Sequence, residues 1–137
     1  MKKDAYKILI ADDSILSQKV VAENLNTVGD KNELYFAHDG IQACDLALEV
    51  IPDLIIMDII MPERNGIEAI KYLRNKKETA DIPIIVLSAT ESLESAYLAG
   101  ANDFISKPFQ QYELLIKVRS ALNLVQKINE IQTQKTE

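Results

Sequence analysis

The sequence predicts an α/β domain: a doubly wound, five-stranded parallel sheet with helices on both faces. Three observations carry this. Short apolar runs alternate with amphipathic stretches along the whole chain. The central runs, Leu54 to Met57 (LIIM) and Ile84 to Leu87 (IIVL), are continuously apolar, as strands covered on both faces are. Strand and helix patterns also follow one another in turn, and right-handed crossovers then wind helices onto both sides of the sheet.

Tyr6 to Ala11 (YKILIA) reads as the first strand and ends in acids. A helical pattern runs from Ser14 to about Val28, with Ile15, Leu16, Val20, Val21 and Leu25 expected on one stripe. Ser14 is its N-cap and Gly29 its stop. Glu33 to Ala37 is the second strand, and Asp39-Gly40 marks a turn before a helix from Ile41 to Val50, closed off by Pro52. LIIM, the third strand, ends at Asp58. After a loop with Met61-Pro62 and Gly66, Ile67 to Arg74 is helical. Pro83 opens the fourth strand, a short helix runs from about Glu91 to Ala99, and Gly100 ends it. Phe104-Ile105-Ser106 is a brief fifth strand, and Pro108 introduces a long last helix from about Gln111.

In that last helix Leu114, Val118, Ala121, Val125 and Ile128 step by four and three, with Ile131 close behind. The early members pack on the sheet. The domain is expected to span residues 1–126, leaving 127–137 as a helical extension or linker stub. That stub either begins a coiled coil or is a solvated tail, and Gln132 to Glu137 is polar enough to fray.

A chain of 137 residues with 47 % apolar content fits one domain with a proper core. No stretch approaches the roughly 20 apolar residues that cross a bilayer, and Met1 to Lys7 lacks the apolar block of a signal peptide. A single cysteine, Cys44, cannot form an internal disulfide; together these features point to the cytoplasm. A net charge of −6 disfavours direct nucleic-acid binding and suits a cation or a basic partner.

Ligands of such sheets sit outside the carboxyl ends of the strands. There the chain places Asp12-Asp13, Asp58, Ser88 and Lys107-Pro108. Singly these are weak signals, since a carboxylate after a strand is commonly a helix cap. The acid-ending LIIMD also suits an ATPase, but no G-x-x-x-x-G-K-[ST] accompanies it. Jointly they form a chemical kit. Three converging carboxylates repel one another unless a cation sits among them, and hard oxygen donors suit Mg²⁺. One carboxylate can then act as a nucleophile toward phosphorus, with a lysine and a serine holding the phosphoryl oxygens.

The strings Ile10-Ala11-Asp12-Asp13-Ser14, Asp58-Ile59-Ile60-Met61-Pro62 with Gly66, Leu87-Ser88-Ala89, and Gly100 through Phe109 (GANDFISKPF) carry a resemblance. Over about residues 6 to 126 the chain resembles response-regulator receiver domains of two-component signalling, the CheY-like superfamily. The resemblance implies a flavodoxin-like fold with strand order 2-1-3-4-5 and Asp58 as phosphoacceptor. Mg²⁺ would be held by Asp13, Asp58 and the Ile60 carbonyl, with Asp12 acting mainly through a bound water. Lys107 would pair with Asp58 and then with its phosphoryl oxygens, and the Lys107-Pro108 bond would be cis. Ser88 would bond a phosphoryl oxygen, and Phe104 would swing into the space Ser88 leaves, unless it is a static core residue.

The implied function is a phosphorylation-activated switch that catalyses only its own Mg²⁺-dependent phosphorylation and dephosphorylation. Its donor would be a sensor histidine kinase or a histidine phosphotransfer protein. Its target would be a downstream protein or a fused output domain, with neither nucleic acid nor membrane contacted directly and room for a phosphorylation-dependent homodimer. Two alternatives stand beside it: an interaction module that needs no phosphorylation, and an aspartyl phosphatase. The second is disfavoured because Asp12 and Asp13 are adjacent, and Asp58 lies on the third strand.

Two departures from the family pattern matter. The chain from Ser88 to Lys107 is about three residues short, close to one turn, so the fourth helix is expected to be stunted. Ile60 puts an apolar group where it cannot orient an attacking water. His38 reads as a solvated loop residue, Cys44 as packing, and Met57 and Met61 as core and loop filler.

Overall fold

The computed structural model describes residues 5–27 and 31–136, with side chains described as far as residue 132. Strands and helices alternate: β1 (Lys7–Ala11), α1 (Ile15–Asn26), β2 (Glu33–Ala37), α2 (Gly40–Val50), β3 (Leu54–Met57), α3 (Gly66–Arg74), β4 (Ile84–Ser88), α4 (Leu93–Ala99), β5 (Asp103–Ser106) and α5 (Gln111–Thr136). The sheet order is β2-β1-β3-β4-β5, and every neighbouring pair is parallel. This is the expected doubly wound architecture.

Period-two alternation along each strand divides the core into two layers. Leu9, Ile55, Met57, Val86 and Phe104 face α2, α3 and α4. Ile8, Ile10, Ile56, Leu87 and Ile105 face α1 and α5. β3 and β4 are buried at every position, which is why LIIM and IIVL show no polar side. Cys44, Met57 and Met61 are all buried in the first layer, and His38 is exposed.

Helix α1 departs from expectation. Its buried residues are Gln18, Val21 and Leu25, whereas Ile15, Leu16 and Val20 are 61 %, 73 % and 41 % exposed. The apolar residues define two faces rather than one stripe: at about 100° per residue, Leu16 and Val20 point away from Gln18. The Ser14 cap forms as expected, accepting from the Ser17 N–H, and α1 closes at Thr27. The stop at Gly29 lies outside the described residues.

Helix α4 has only seven residues and no side-chain N-cap. Its far end is secured instead by Arg74, whose guanidinium donates to the carbonyls of Gly100 (3.0 Å) and Ile82 (2.7 Å) and to Asn102 Oδ1 (2.8 Å). Helix α5 buries Leu114, Val118 and Leu122 and runs to Thr136; Ile128 and Ile131 are exposed. The two ends of the 58–66 loop meet where the Gly66 N–H donates to the Ile59 carbonyl (2.7 Å).

Candidate functional site

The carboxyl ends of β1, β3, β4 and β5 bring the expected residues to one lip of the sheet. One oxygen from each of Asp12, Asp13 and Asp58 lies within 4.8 Å of the others. Ser88, fully buried, donates its hydroxyl to Asp58 Oδ1 at 2.7 Å. Lys107 Nζ reaches Asp12 Oδ2 at 2.7 Å and Asp58 Oδ2 at 3.2 Å. The Lys107 N–H donates to the Ser88 carbonyl (2.9 Å), and the Lys107-Pro108 bond is cis. The Asp12 carboxylate is aimed by the Ser14 N–H on Oδ1 (2.9 Å), leaving Oδ2 for the lysine.

The set suits a small hard cation. Three carboxylate oxygens close to the ~4 Å span of one octahedral Mg²⁺ shell are a chemically matched donor group. The shorter lysine contact goes to Asp12 rather than to Asp58, where pairing was expected. Asp12 has the more buried side chain (6 % against 13 % exposed), and Asp58 already accepts the Ser88 hydroxyl.

Burial alone pushes the Lys107 pKa down, but the hydrogen bond to Asp12 and the charges of Asp58 and Asp12 outweigh it. The net direction is upward from the ordinary 10.5. A raised folded-state pKa stabilises fully below the unfolded value, and that contribution is lost as pH climbs through the raised one. In metal-free buffer, wild type is therefore expected to melt several degrees above Lys107→Met from neutral pH to about pH 10, with the gap closing at higher pH. A gap that closes between pH 7 and 9 would contradict this assignment.

Residues 8–119 match the response regulator receiver domain family. The chain belongs to that family. The receiver is 34 % identical over 125 residues to the DNA-binding dual master transcriptional regulator RpaA of Synechocystis sp., covering 89 % of this chain and 51 % of the relative. It thus spans about half the length of the curated relatives it matches. The chemotaxis response regulator CheY4 of Vibrio cholerae is 30 % identical with a TM-score of 0.76, over 84 % of this chain and 97 % of that one. The receiver domain of sensor histidine kinase PA1611 from Pseudomonas aeruginosa PAO1 is 30 % identical, with a TM-score of 0.77 over 88 % and 98 % of the chains. It was solved with a magnesium ion coordinated in its active site cleft.

Of the residues singled out from sequence, the receiver gathers Asp12, Asp13, Asp58, Ser88 and Lys107 at this lip. Ile60 borders it, donating its N–H to Asp58 Oδ1 at 3.4 Å while its side chain is 63 % exposed. Phe104 is not part of the lip; it is buried in the layer beneath, against the α2–α4 face. Sequence reasoning missed three hydroxyl or amide groups around the acids. Ser17 Oγ lies 3.4 Å from Lys107 Nζ, Thr90 Oγ1 lies 3.3 Å from Ser88 Oγ, and Gln18 holds the Asp12 main chain. None carried a legible signal: Gln18 lies three and seven positions before Val21 and Leu25, but hydrophobicity alone gives a polar residue there to solvent.

Proposed function

We propose that this receiver is a phosphorylation-activated switch in which Asp58 takes a phosphoryl group from the phosphohistidine of a sensor kinase or phosphotransfer protein. The observation that carries the reading is Asp58 itself, clustered with two further acids and held by both a buried hydroxyl and an ammonium. An Asp58 oxygen attacks phosphorus, the P–N bond to the donor imidazole breaks, and the imidazole leaves with its electron pair and takes a proton. Asp13, Asp58 and the Ile60 carbonyl would hold Mg²⁺, with Asp12 reached through a water, and the bound ion supplies neutralisation of phosphoryl charge. Lys107 exchanges its Asp58 contact for a phosphoryl oxygen, and the Ser88 hydroxyl does the same.

The donor would dock on α1. Ile15, Leu16 and Val20 leave an exposed apolar face on α1, and Leu16 and Val20 line a cleft shared with Lys107 and Pro108. The output is a population shift of the α4–β5–α5 surface, driven by Ser88 moving and Phe104 repacking beneath it. Asp103 Oδ1 already ties those elements together, accepting from Tyr97 Oη of α4 (3.4 Å) and Lys117 Nζ of α5 (2.7 Å). With the domain taken as 1–126 and 127–137 as its extension, the part of α5 beyond residue 126 would serve as an arm for a downstream protein or output domain, and a phosphorylation-dependent homodimer would use the same arm and face. Among the described residues no helix is long and apolar enough to cross a membrane. The charge of −6 suits a basic protein partner better than nucleic acid, and the switch would act in the cytoplasm through proteins.

Incubation with Mg²⁺ and a small acyl phosphate donor tests the reading. Stoichiometric, acid-stable and alkali-labile labelling is expected. Many turnovers would favour a phosphatase, and no labelling would favour an interaction module independent of phosphate. The Ile60 side chain offers nothing to orient an attacking water, so the acyl phosphate is expected to be long-lived. Ile60→Asn should shorten its half-life by roughly tenfold, followed as loss of label after donor removal. An unchanged half-life removes Ile60 from the account.

A further inference from the structure

We propose that Gln18 is a positioning residue for the acid cluster: its buried side-chain amide fixes the main chain of Asp12, so that Asp12 and Asp13 present their carboxylates to the cation. The inference rests on the Mg²⁺-dependent reading above and deepens it.

Helix α1 departs from simple amphipathicity. It exposes Ile15, Leu16 and Val20 yet buries a glutamine that is only 6 % exposed. A buried amide is costly unless its donors are used, and here both are. Gln18 Nε2 donates to the Asp12 carbonyl at 2.8 Å and to the Ala37 carbonyl at 3.1 Å, with His38 Nδ1 a looser neighbour at 3.4 Å. The same Ala37 carbonyl accepts the Asp12 N–H at 3.0 Å.

Asp12 is therefore gripped on both sides of its α-carbon. Its N–H is tied to the end of β2 and its carbonyl to α1, and one amide bridges the two anchors. That leaves the Asp12 side chain with a fixed origin, and the Ser14 N–H then sets its direction. Asp13, one residue on, inherits the same fixed origin. An apolar residue at 18 would leave the Asp12 carbonyl without this donor in a buried place. Groups that orient the ligands of a cation commonly change its affinity by ten- to a hundredfold when removed.

The test compares wild type, Gln18→Met and a core variant on the same helix, Leu25→Val. Mg²⁺ affinity is read from amide chemical shifts, labelling rate is measured at limiting and saturating Mg²⁺, and amide exchange is followed without metal. Gln18→Met is expected to bind Mg²⁺ about tenfold or more weakly. Its labelling should be slow at limiting Mg²⁺ and should recover at saturation, and the Asp12 and Ser14 amides should exchange faster. Leu25→Val should lower the melting temperature and move none of these. Wild-type Mg²⁺ affinity in Gln18→Met, or an equal loss in Leu25→Val, overturns the proposal. Should Gln18→Met not fold, the wild-type Gln18 side-chain amide protons decide: slow exchange supports the proposal and unprotected exchange overturns it. Wild type that neither binds Mg²⁺ nor labels overturns the reading of the site itself, a separate result.

Discussion

Asp58→Asn is expected to abolish labelling by a small phosphodonor, a loss of at least roughly a thousandfold, while leaving the fold intact. The carboxamide is a poor nucleophile toward phosphorus, and nothing else at the lip replaces it. Asp12 Oδ2 is taken by Lys107 and Asp12 Oδ1 by the Ser14 N–H, so that acid is already engaged. Stability should hold or rise in metal-free buffer. Asparagine keeps an acceptor for the Ser88 hydroxyl and removes one of three mutually repelling charges. Intact-mass analysis reads the label and thermal melting reads the fold. Undiminished labelling would move the acceptor to Asp12 or Asp13.

Gly66→Ala is expected to lower stability by about 2 kcal/mol or more, a fall in Tm of about 5–10 °C, and to slow labelling with it. Two effects oppose each other at this first residue of α3. Helix propensity favours alanine by about 1 kcal/mol. Against that, a Cβ at position 66 would sit 2.2 Å from the Asp58 carbonyl oxygen and 2.8 Å from the Ile59 Cα. Both are backbone atoms, so relief requires moving the 58–66 loop itself, and the clash wins. Helix α3 therefore abuts the loop that carries Asp58, and packing at Gly66 sets where Asp58 stands. A Tm unchanged or raised would show that the loop relaxes freely and that propensity decides.

Much of this was legible beforehand because parallel α/β sheets turn local patterns into global positions. Four strand ends in one chain must meet at one edge, so the acids after β1 and β3, Ser88 and Lys107 needed no long-range information to be grouped. The same logic made the continuously apolar LIIM and IIVL central strands, and a short Ser88-to-Lys107 segment became a seven-residue α4. Less was legible in α1 and α3. Hydrophobicity assigns Leu16 and Val20 to the core and Gln18 to water, and both assignments are inverted. Arg74, an ordinary basic residue in a helical pattern, became the anchor of the α4–β5 joint through three carbonyls of the 79–82 segment as well as Gly100.

Order along the chain settled the fold, its strand order by family resemblance, and the membership of the acidic lip, because strand burial and parallel winding depend on pattern alone. Which partner Lys107 prefers, where Phe104 rests and why a glutamine is buried were decided only in three dimensions. Those outcomes turn on how completely each polar atom is desolvated and which neighbours remain to satisfy it, and desolvation is a property of the packed molecule rather than of any segment.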